Sequence, residues 1–522
     1  MAKTSVEKVI KTARIPLVAN MWNRDTGATA AKDSIWTNCA FSIVSNPTVD
    51  KKTLRIRKRQ GLESLSLAGA DLIRCYDGRV WQGESLDNIV FLVRSSTATD
   101  DIKLRKLTTA SMTLSTLGTA EIDGASTVST ASRLTECYES GGLNPTIAFW
   151  AAAASGTKEA YFFPLSGALT QITDGDFPVA DIAGNFVYSD GYLFIITNDG
   201  VIWNSDSNSL SAWTATSFQN SGGEPDGGVG LAKYKDKIVA INANSIEFFE
   251  MNPNFSGTGS PLQRVNHLRI SDIGGMTTTL DSNQTYLSAF NTLFWLAKGN
   301  DREGAVLYKL ENYVPTKLTN STVASRFIKT NAGLLHISGA GHYLNEPVLF
   351  FNAETDLDTY VYFIDLDIWS YWDWNDTTVA NTPGMRPVFH DETSDAVGGL
   401  YWFGNGDVFR MDHSDPVYQD GGNAYTMSIT TSKIDLDTEN RKRLHKLKLI
   451  GNVQSSTSNL SVSWSDNDYS SFTTARTIDT SQQRQYLNNC GAFRRRAFKL
   501  EHSGNTPFEA ESLELDYSVC EN

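Results

Sequence analysis

Short apolar runs separated by glycine, asparagine and aspartate recur along the whole of this 522-residue chain. Residues 192–204 read YLFIITNDGVIWN, so that an apolar run meets an Asn-Asp-Gly turn at 198–200 and a second apolar run follows. Such turn residues tolerate the positive φ of a tight hairpin, and the stretch therefore predicts two antiparallel strands. The same pattern predicts tight hairpins at 72–82, where Asp77-Gly78 forms the turn, at 237–252 and at 400–412.

Looser copies of this unit have longer connections, at 88–107, 146–165, 291–312 and 347–374. In each copy the first strand is apolar throughout, which is typical of burial on both faces, and the second alternates. From residue 89 onward the first strands begin near residues 89, 147, 192, 238, 292, 348 and 400. Four-stranded units at a period of about 40–50 residues are typical of propeller blades. We therefore predict an all-β fold with a β-propeller of about six or seven blades; the alternative is a β-sandwich with many hairpins.

The flanks of the repeat have a different pattern. Residues 1–66 hold short apolar stretches and a basic run, and we predict an N-terminal arm there. The propeller is predicted at 67–415, and 413–423 is predicted as a linker. Cleanly alternating strands at 424–522 predict a C-terminal β-sandwich. Because both flanks lie outside the repeat, we expect them to pack together as a platform.

Composition and charge narrow the class of protein. Hydrophobic residues make up 40% of the chain and charged residues 20%, which is a globular composition. The net charge is −14, whereas proteins that wrap duplex DNA usually carry an excess of basic residues that contact the phosphates. An acidic surface would let DNA slide past without binding it. Five cysteines far apart, with no CxxC, predict reduced thiols rather than disulfides or zinc. No signal peptide and no apolar run of 18 residues is recognisable, so we expect a soluble protein made in the cytoplasm.

Motifs that carry chemistry are absent from the sequence. It has no GxSxG, Walker loop, HExxH or GxGxxG, so we predict no enzymatic activity, no metal and no cofactor. His336 and His342 have no standard metal-ligand spacing. The acidic stretches 356–369 and 435–440 lack the glycine and closing glutamate of a calcium loop. Residues 463–472 are loosely similar to the Asp box of sialidase propellers, but the stretch occurs once and outside the repeat.

Three basic segments flank the acidic middle of the chain, at 51–61, 441–449 and 494–496. Charged and apolar residues alternate in the first two, which predicts strands with the charges on one face. Such faces are either solvated, protecting a sheet edge by charge, or dock onto acidic protein surfaces or phosphate. The interface candidates are the basic residues of all three segments: Arg55, Arg57, Lys58, Arg59, Arg441, Lys442, Arg443, Lys446, Lys448, Arg494, Arg495 and Arg496.

Specific stretches resemble a known family. Residues 23–44 (NRDTGATAAKDSIWTNCAFSIV), followed by 54–62 (LRIRKRQGL), resemble the start of the packaged-DNA stabilisation proteins of short-tailed bacteriophages, also described as tail hub or nozzle proteins. The family's Lys-Arg-Pro-Gly-like element reads KRQG at 58–61, with Gln where Pro is usual. Residues 231–250 look like the family's strand pair with a Ser-Ile-Glu-Phe-Phe-like stretch, and 492–517 are similar to its C-terminal strands.

The resemblance implies a structural protein of the virion tail, made in the host cytoplasm. It implies a homohexameric ring below the portal and adaptor (the head-tail connector), which extends the DNA channel and helps to retain packaged DNA until ejection. Attachment points for tail fibre, spike or needle proteins are also implied.

The sequence is also compatible with two other functions. The aromatic stretch DIWSYWDW at 367–374 could stack on sugars, which would suit a glycan-binding or glycan-cleaving propeller of the receptor-binding or depolymerase type. An ordinary bacterial propeller scaffold is the third possibility.

Overall fold

The structure is a computed structural model, and it describes most of the chain. The described residues are 10–18, 36–46, 51–67, 72–81, 88–95, 101–122, 127–139, 144–165, 167–223, 226–276, 284–298, 305–318, 335–353, 359–374, 386–390, 399–404 and 407–520.

Seven antiparallel sheets follow one another between residues 72 and 412 of the described chain, and each is one blade of a propeller. Five strands precede them: β1 (Lys11–Pro16), β2 (Trp36–Thr37), β3 (Cys39–Asn46), β4 (Lys51–Lys58) and β5 (Glu63–Ser64). Blade 1 consists of β6 (Leu72–Val80), β7 (Asn88–Ser95), β8 (Asp101–Thr108) and β9 (Thr113–Glu121), and blade 2 of β10 (Val128–Ala131), β11 (Thr135–Glu139), β12 (Asn144–Ala153), β13 (Lys158–Pro164) and β14 (Thr170–Gln171). After a 3-10 helix at Val179–Asp181, blade 3 consists of β15 (Ile182–Ser189), β16 (Tyr192–Thr197), β17 (Val201–Ser205) and β18 (Trp213–Asn220), and blade 4 of β19 (Gly228–Tyr234), β20 (Lys237–Asn242), β21 (Ser245–Met251) and β22 (Leu262–Ser271).

Blade 5 consists of β23 (Tyr286–Ala289), β24 (Thr292–Lys298), β25 (Ala305–Glu311) and β26 (Val314–Lys317), blade 6 of β27 (Leu335–Tyr343), β28 (Glu346–Ala353), β29 (Thr359–Phe363) and β30 (Ile368–Trp372), and blade 7 of β31 (Arg386–His390), β32 (Gly399–Gly404) and β33 (Asp407–Asp412).

The predicted all-β propeller is confirmed, and each apolar first strand of the repeat is the second strand of a blade. Strand β16 shows why these strands are apolar throughout. Leu193 and Ile195 pack against blade 2, whereas Phe194 and Ile196 pack against blade 4. A strand whose two faces both meet neighbouring blades has no face left for polar residues.

The ring closes through its innermost strands and through a strand from the N-terminal segment. β31 of blade 7 packs against β6 of blade 1. Blade 7 receives its outermost strand from β5, with Phe409 opposite Ser64 and Arg410 opposite Glu63. The last blade is therefore completed by residues that precede the first one in the chain.

The hairpin predicted at 72–82 is wrong. β6 runs without a turn from Leu72 to Val80, and Asp77 follows a register shift in its pairing with β7. Gly78 lies inside the strand, where the side chain of Val388 in blade 7 leaves no room for a β-carbon. An Asp-Gly pair suits a β-bulge and a close approach as well as a turn, so the pattern alone did not distinguish them.

The N- and C-terminal segments share two further sheets. The C-terminal strands are β34 (Gln419–Asp420), β35 (Asn423–Ala424), β36 (Met427–Thr430), β37 (Lys442–Gly451), β38 (Asn459–Ser465), β39 (Arg476–Asp479), β40 (Tyr486–Asn488), β41 (Ala492–Phe493), β42 (Ala497–His502) and β43 (Glu509–Val519). β1 and β4 pair with β43, and β2 joins β30 of blade 6 to β36. One sheet therefore runs from blade 6 through β2 into the C-terminal strands. We call the strands of these two sheets that lie outside blade 6 the platform; they share one hydrophobic cluster with blades 6 and 7.

Candidate functional site: the platform junction and the propeller axis

Arg59 is completely buried where the propeller meets the platform. Its guanidinium donates two hydrogen bonds to the carboxylate of Asp420, Nη1 to Oδ1 at 2.9 Å and Nη2 to Oδ2 at 2.6 Å. Nη2 also donates to the carbonyl of Asp373, directly after β30, and Nε donates to Oδ1 of Asn38 at 2.9 Å. One side chain thereby ties together the N-terminal segment, blade 6 and the C-terminal segment.

Two aromatic rings enclose the Arg59 guanidinium. Its Cζ lies 3.8 Å from the ring centre of Tyr425 and 4.4 Å from that of Trp374. Burial favours the neutral form of Arg59, but the charge of Asp420 and its hydrogen bonds outweigh burial and raise the pKa of Arg59. Arg59 therefore keeps its charge inside the protein, where loss of Asp420 would leave that charge unpaired.

The segment after Arg59 leads directly into β5. The N–H of Gly61 donates to the carbonyl of Val417 at 2.7 Å, and the carbonyl of Leu62 accepts the N–H of Gly421 at 2.7 Å. A β-carbon at Gly61 would overlap the backbone of Gln419, so this close approach requires glycine. We call residues 58–62 and their partners the junction; they position the strand that closes the ring.

Lys58 brings a second charge into the junction. It is 2% exposed, and its Nζ donates to the carbonyls of Gly504 at 2.7 Å and Tyr418 at 3.3 Å. Burial, together with the charge of Arg59, lowers the pKa of Lys58 to about 7. Burial and the charge of Lys58 also lower the pKa of His502 to about 4.

Lys58 should make the stability of the protein depend on pH. Between about pH 7 and the unfolded pKa near 10.4, the unfolded chain holds a proton on Lys58 that the folded chain has released, so stability rises with pH. We expect a contribution of at most about 1.4 kcal/mol per pH unit in this window. Urea unfolding of wild type and Lys58→Met between pH 6 and 9 measures it, and the variant should show a shallower rise.

Lys446→Met is the matched control, since Lys446 is partly exposed with its Nζ 4.1 Å from the ring centre of Tyr486. It should keep the wild-type pH dependence. Equal slopes in Lys58→Met and wild type would contradict the assignment of the pH dependence to Lys58.

Four of the twelve interface candidates lie inside the protein, namely Lys58, Arg59, Lys442 and Arg496. Lys442 Nζ donates to the carbonyl of Asp435 at 2.5 Å, and burial lowers the pKa of Lys442. Arg496 forms two 2.7 Å hydrogen bonds to the carboxylate of Asp466. The charges of these four residues are used within the chain and stabilise the fold from inside, so they are not available at its surface.

The other eight candidates are partly or fully exposed on the platform, and for them the interface prediction stays a prediction. Arg55 and Arg57 share one face of β4, as their alternation predicted, and both pair with Glu509. Lys448 pairs with Glu514 at 2.5 Å and Asp516 at 3.2 Å. Lys446 lies over a tyrosine ring as described above. The remaining four are exposed: Arg441, Arg443, Arg494 and Arg495.

Residues from five blades meet across the propeller axis. Arg133 of blade 2 pairs with Asp77 of blade 1 at 3.4 Å and donates to the carbonyl of Ile337 in blade 6 at 2.5 Å. Its backbone N–H donates to Oδ1 of Asn185 in blade 3, and the N–H of Asn185 donates to the hydroxyl of Tyr286 in blade 5. At the level of these described residues the axis is filled by protein.

A cavity adjoins these residues of the innermost strands. It has two adjoining parts, an outer part of about 360 Å³ lined by the exposed Lys233 and an inner part of about 350 Å³ lined by the buried Ser338. Residues that line both parts include Arg79, Arg133 and Ser288. We call it the axial funnel. The sequence gives weak signals for this cavity, because the Asp77-Gly78 pair is typical of a turn and Arg133 stands alone between short strands.

The structure does not support the sugar-binding and metal-binding features considered from the sequence. Trp369, Trp372 and Trp374 of the aromatic stretch are buried, so they offer no surface for sugars. His336 is buried, whereas the ring of His342 lies against Phe290. Within the described ranges, no group of three or more His, Cys, Asp and Glu side chains could hold a metal ion. The same part of the chain contains no helix with the length and apolarity needed to cross a membrane.

Residues 147–334 match the family model described as "Phage_stabilise: Bacteriophage P22 Gp10, beta-propeller". The resemblance to the phage stabilisation family is confirmed. The match begins within β12 of blade 2 and extends past the last strand of blade 5, and it covers about a third of the chain. This match supports a structural protein of a phage tail and an association with the virion.

Solved structures that match the chain do so at low identity. They include the Mitotic Checkpoint Complex (10% identity, 67% of this chain and 92% of that chain, TM-score 0.34), the computationally designed Ika8 protein (11%, 67% and 98%, 0.31) and the WD40 beta propeller domain of Doa1 (8%, 67% and 96%, 0.33). No curated protein matches the chain.

Proposed function

We propose that the chain is a tail nozzle or hub component of a short-tailed phage, without enzymatic activity. Six copies form a ring below the portal and adaptor that extends the DNA channel, helps to retain packaged DNA and anchors fibre, spike or needle proteins. The match of residues 147–334 to the phage stabilisation family is the observation that carries the proposal.

The filled axis of the propeller supports a channel built between copies rather than through one of them. The major groove of duplex DNA is by itself about 12 Å wide, whereas Arg133, Asp77 and Tyr286 occupy the axis. A conduit for DNA therefore has to lie between protomers. The junction also suits such a role, because it fixes the platform to the ring with a buried ion pair.

The charge of the chain suits a channel wall. With a net charge of −14, a lumen lined by this protein makes few phosphate contacts, so that DNA in transit is not held. An assembled ring whose lumen is continuously basic would contradict this part of the proposal.

Ring assembly tests the proposed function. We expect negative-stain images of the purified chain mixed with its head-tail adaptor to show six-fold rings. Arg441→Glu/Arg443→Glu on the exposed platform should weaken assembly at least about tenfold, because reversed charges repel an acidic partner surface.

Lys298→Glu, at an exposed position on blade 5, is the control and should assemble as wild type does. Adaptor complexes that contain single copies of the chain, or no complex at all, would contradict the proposal. The assay includes the adaptor because ring assembly is expected to depend on the adaptor.

A further inference from the structure

The axial funnel has a cationic wall in an otherwise acidic protein. Arg79 and Arg133 line both parts of the cavity, and Lys233 lines the outer part. Two lining side chains are acidic: Asp77 accepts the N–H of Leu134 at 2.8 Å and pairs with Arg133, and Glu136 pairs with Arg79 at 3.3 Å. Among the described lining side chains, three cations thus face two carboxylates.

Two of these cations keep hydrogen-bonding capacity. Lys233 is exposed at the mouth and has no ion pair within the described residues. Nε of Arg133 is buried without a hydrogen-bond partner, although its two Nη atoms are used. A negatively charged oxygen would accept a strong hydrogen bond from such an unpaired cationic donor.

A polar side chain deeper in the funnel also lacks a partner. Ser338 is 2% exposed and lines the inner part, and its hydroxyl makes no hydrogen bond to the described residues. A buried hydroxyl without a partner is costly, and an incoming acceptor oxygen would relieve that cost. The inner end of the funnel thus combines an unpaired hydroxyl with the guanidinium of Arg133.

Two exposed aromatic side chains adjoin residues that line the funnel, and we call them its rim. Tyr138 is 41% exposed and lies 6.2 Å from Tyr188, which lines the outer part. Phe290 is 36% exposed, lies 5.2 Å from the ring of His342 and directly follows Ala289, which lines the inner part. Aromatic and arginine side chains around a concave site are typical of protein recognition rather than of a site for a free ion.

We propose that the axial funnel is a peptide-binding site, which takes a carboxylate side chain of a partner protein between Arg79, Arg133 and Lys233 while the aromatic rim contacts the adjoining peptide. The excess of one positive charge selects an acidic residue. This inference does not depend on the proposed function, since it concerns the surface of one propeller.

Ligand-observed NMR with three probes tests the site on the full chain. The probes are succinate, N-acetyl-glutamate N-methylamide and a blocked Tyr-Glu-Tyr tripeptide, each glutamate probe being paired with its glutamine analogue. We expect the tripeptide to bind most tightly and each glutamine analogue about tenfold more weakly than its glutamate counterpart. Succinate should be the weakest carboxylate, because it makes no contact with the rim.

Two variants assign the binding to the funnel. Lys233→Glu, at an exposed position that leaves the fold intact, should weaken the tripeptide at least about tenfold. Arg79→Gln/Lys233→Gln should do the same, whereas Lys298→Gln/Arg443→Gln makes the same change in net charge at distant exposed sites and should bind as wild type does.

Several results would overturn the proposal. They are equal binding of the glutamate and glutamine probes, unchanged binding in both funnel variants, succinate binding as tightly as the tripeptide, and no binding of any probe.

Discussion

Replacing Arg59 with methionine should lower the free energy of unfolding by about 3–5 kcal/mol. The change removes both hydrogen bonds to Asp420 and leaves a carboxylate that is fully buried without its counter-ion. It also removes the donors to Asn38 and to the carbonyl of Asp373. Urea unfolding followed by tryptophan fluorescence measures the loss, since Trp374 lies against the guanidinium.

Arg443→Met is the matched control, because Arg443 is exposed on the same platform. Its unfolding free energy should stay within about 0.5 kcal/mol of wild type. Arg59→Met/Asp420→Leu should recover part of the loss, because the double variant buries no unpaired charge. If Arg59→Met unfolded at the same urea concentration as Arg443→Met, the role of the junction would be refuted.

Replacing Gly61 with alanine should cost about 3 kcal/mol, at the upper end of the range for overpacking. The new methyl group would overlap the backbone of Gln419, and neither backbone can yield without breaking hydrogen bonds. Moving them apart disrupts the bonds from Gly61 to Val417 and from Gly421 to Leu62. Because β5 begins two residues later, blade 7 should lose its outermost strand.

Amide hydrogen exchange distinguishes this local opening from a general loss of stability. Exchange in β5 and β33 should accelerate more in Gly61→Ala than exchange in blade 4. Gly175→Ala is the control, since a β-carbon there meets no atom within 4 Å, and it should stay within about 0.5 kcal/mol of wild type. Unchanged exchange in β33 would show that Gly61 does not control the closure of the ring.

These two variants matter for the proposed function because they act on the attachment of the platform to the propeller. A ring component has to hold its neighbours in fixed positions, and a loose platform would weaken assembly without touching any contact surface. Arg59→Met should therefore also impair ring formation with the adaptor, whereas the exposed interface candidates should act without loss of stability.

The spacing of apolar runs was sufficient to predict the propeller. In β16, consecutive residues point to different neighbouring blades, so both faces need apolar side chains and the strand shows as a continuous run. Such runs return once per blade, which made their period visible. The Asp-Gly pair at 77–78 shows the limit of the same method, because turns and bulges use the same residues.

The basic segments show what the sequence could not decide. Arg55 and Lys58 belong to one strand, yet the first is partly exposed beside Glu509 and the second is buried beneath the C-terminal segment. The partner of Arg59 stands 361 residues further along the chain. No local pattern can encode which distant carboxylate will cover a cation.

The sequence by itself therefore determined the class of fold, the repeat and the strand faces, since these depend on hydrophobic alternation over a few residues. Only the tertiary structure decided which cations are buried, how blade 7 is closed by the N-terminal segment and which side chains meet on the axis. These features arise when segments hundreds of residues apart are brought into contact, and their energies come from desolvation and pairing at that contact.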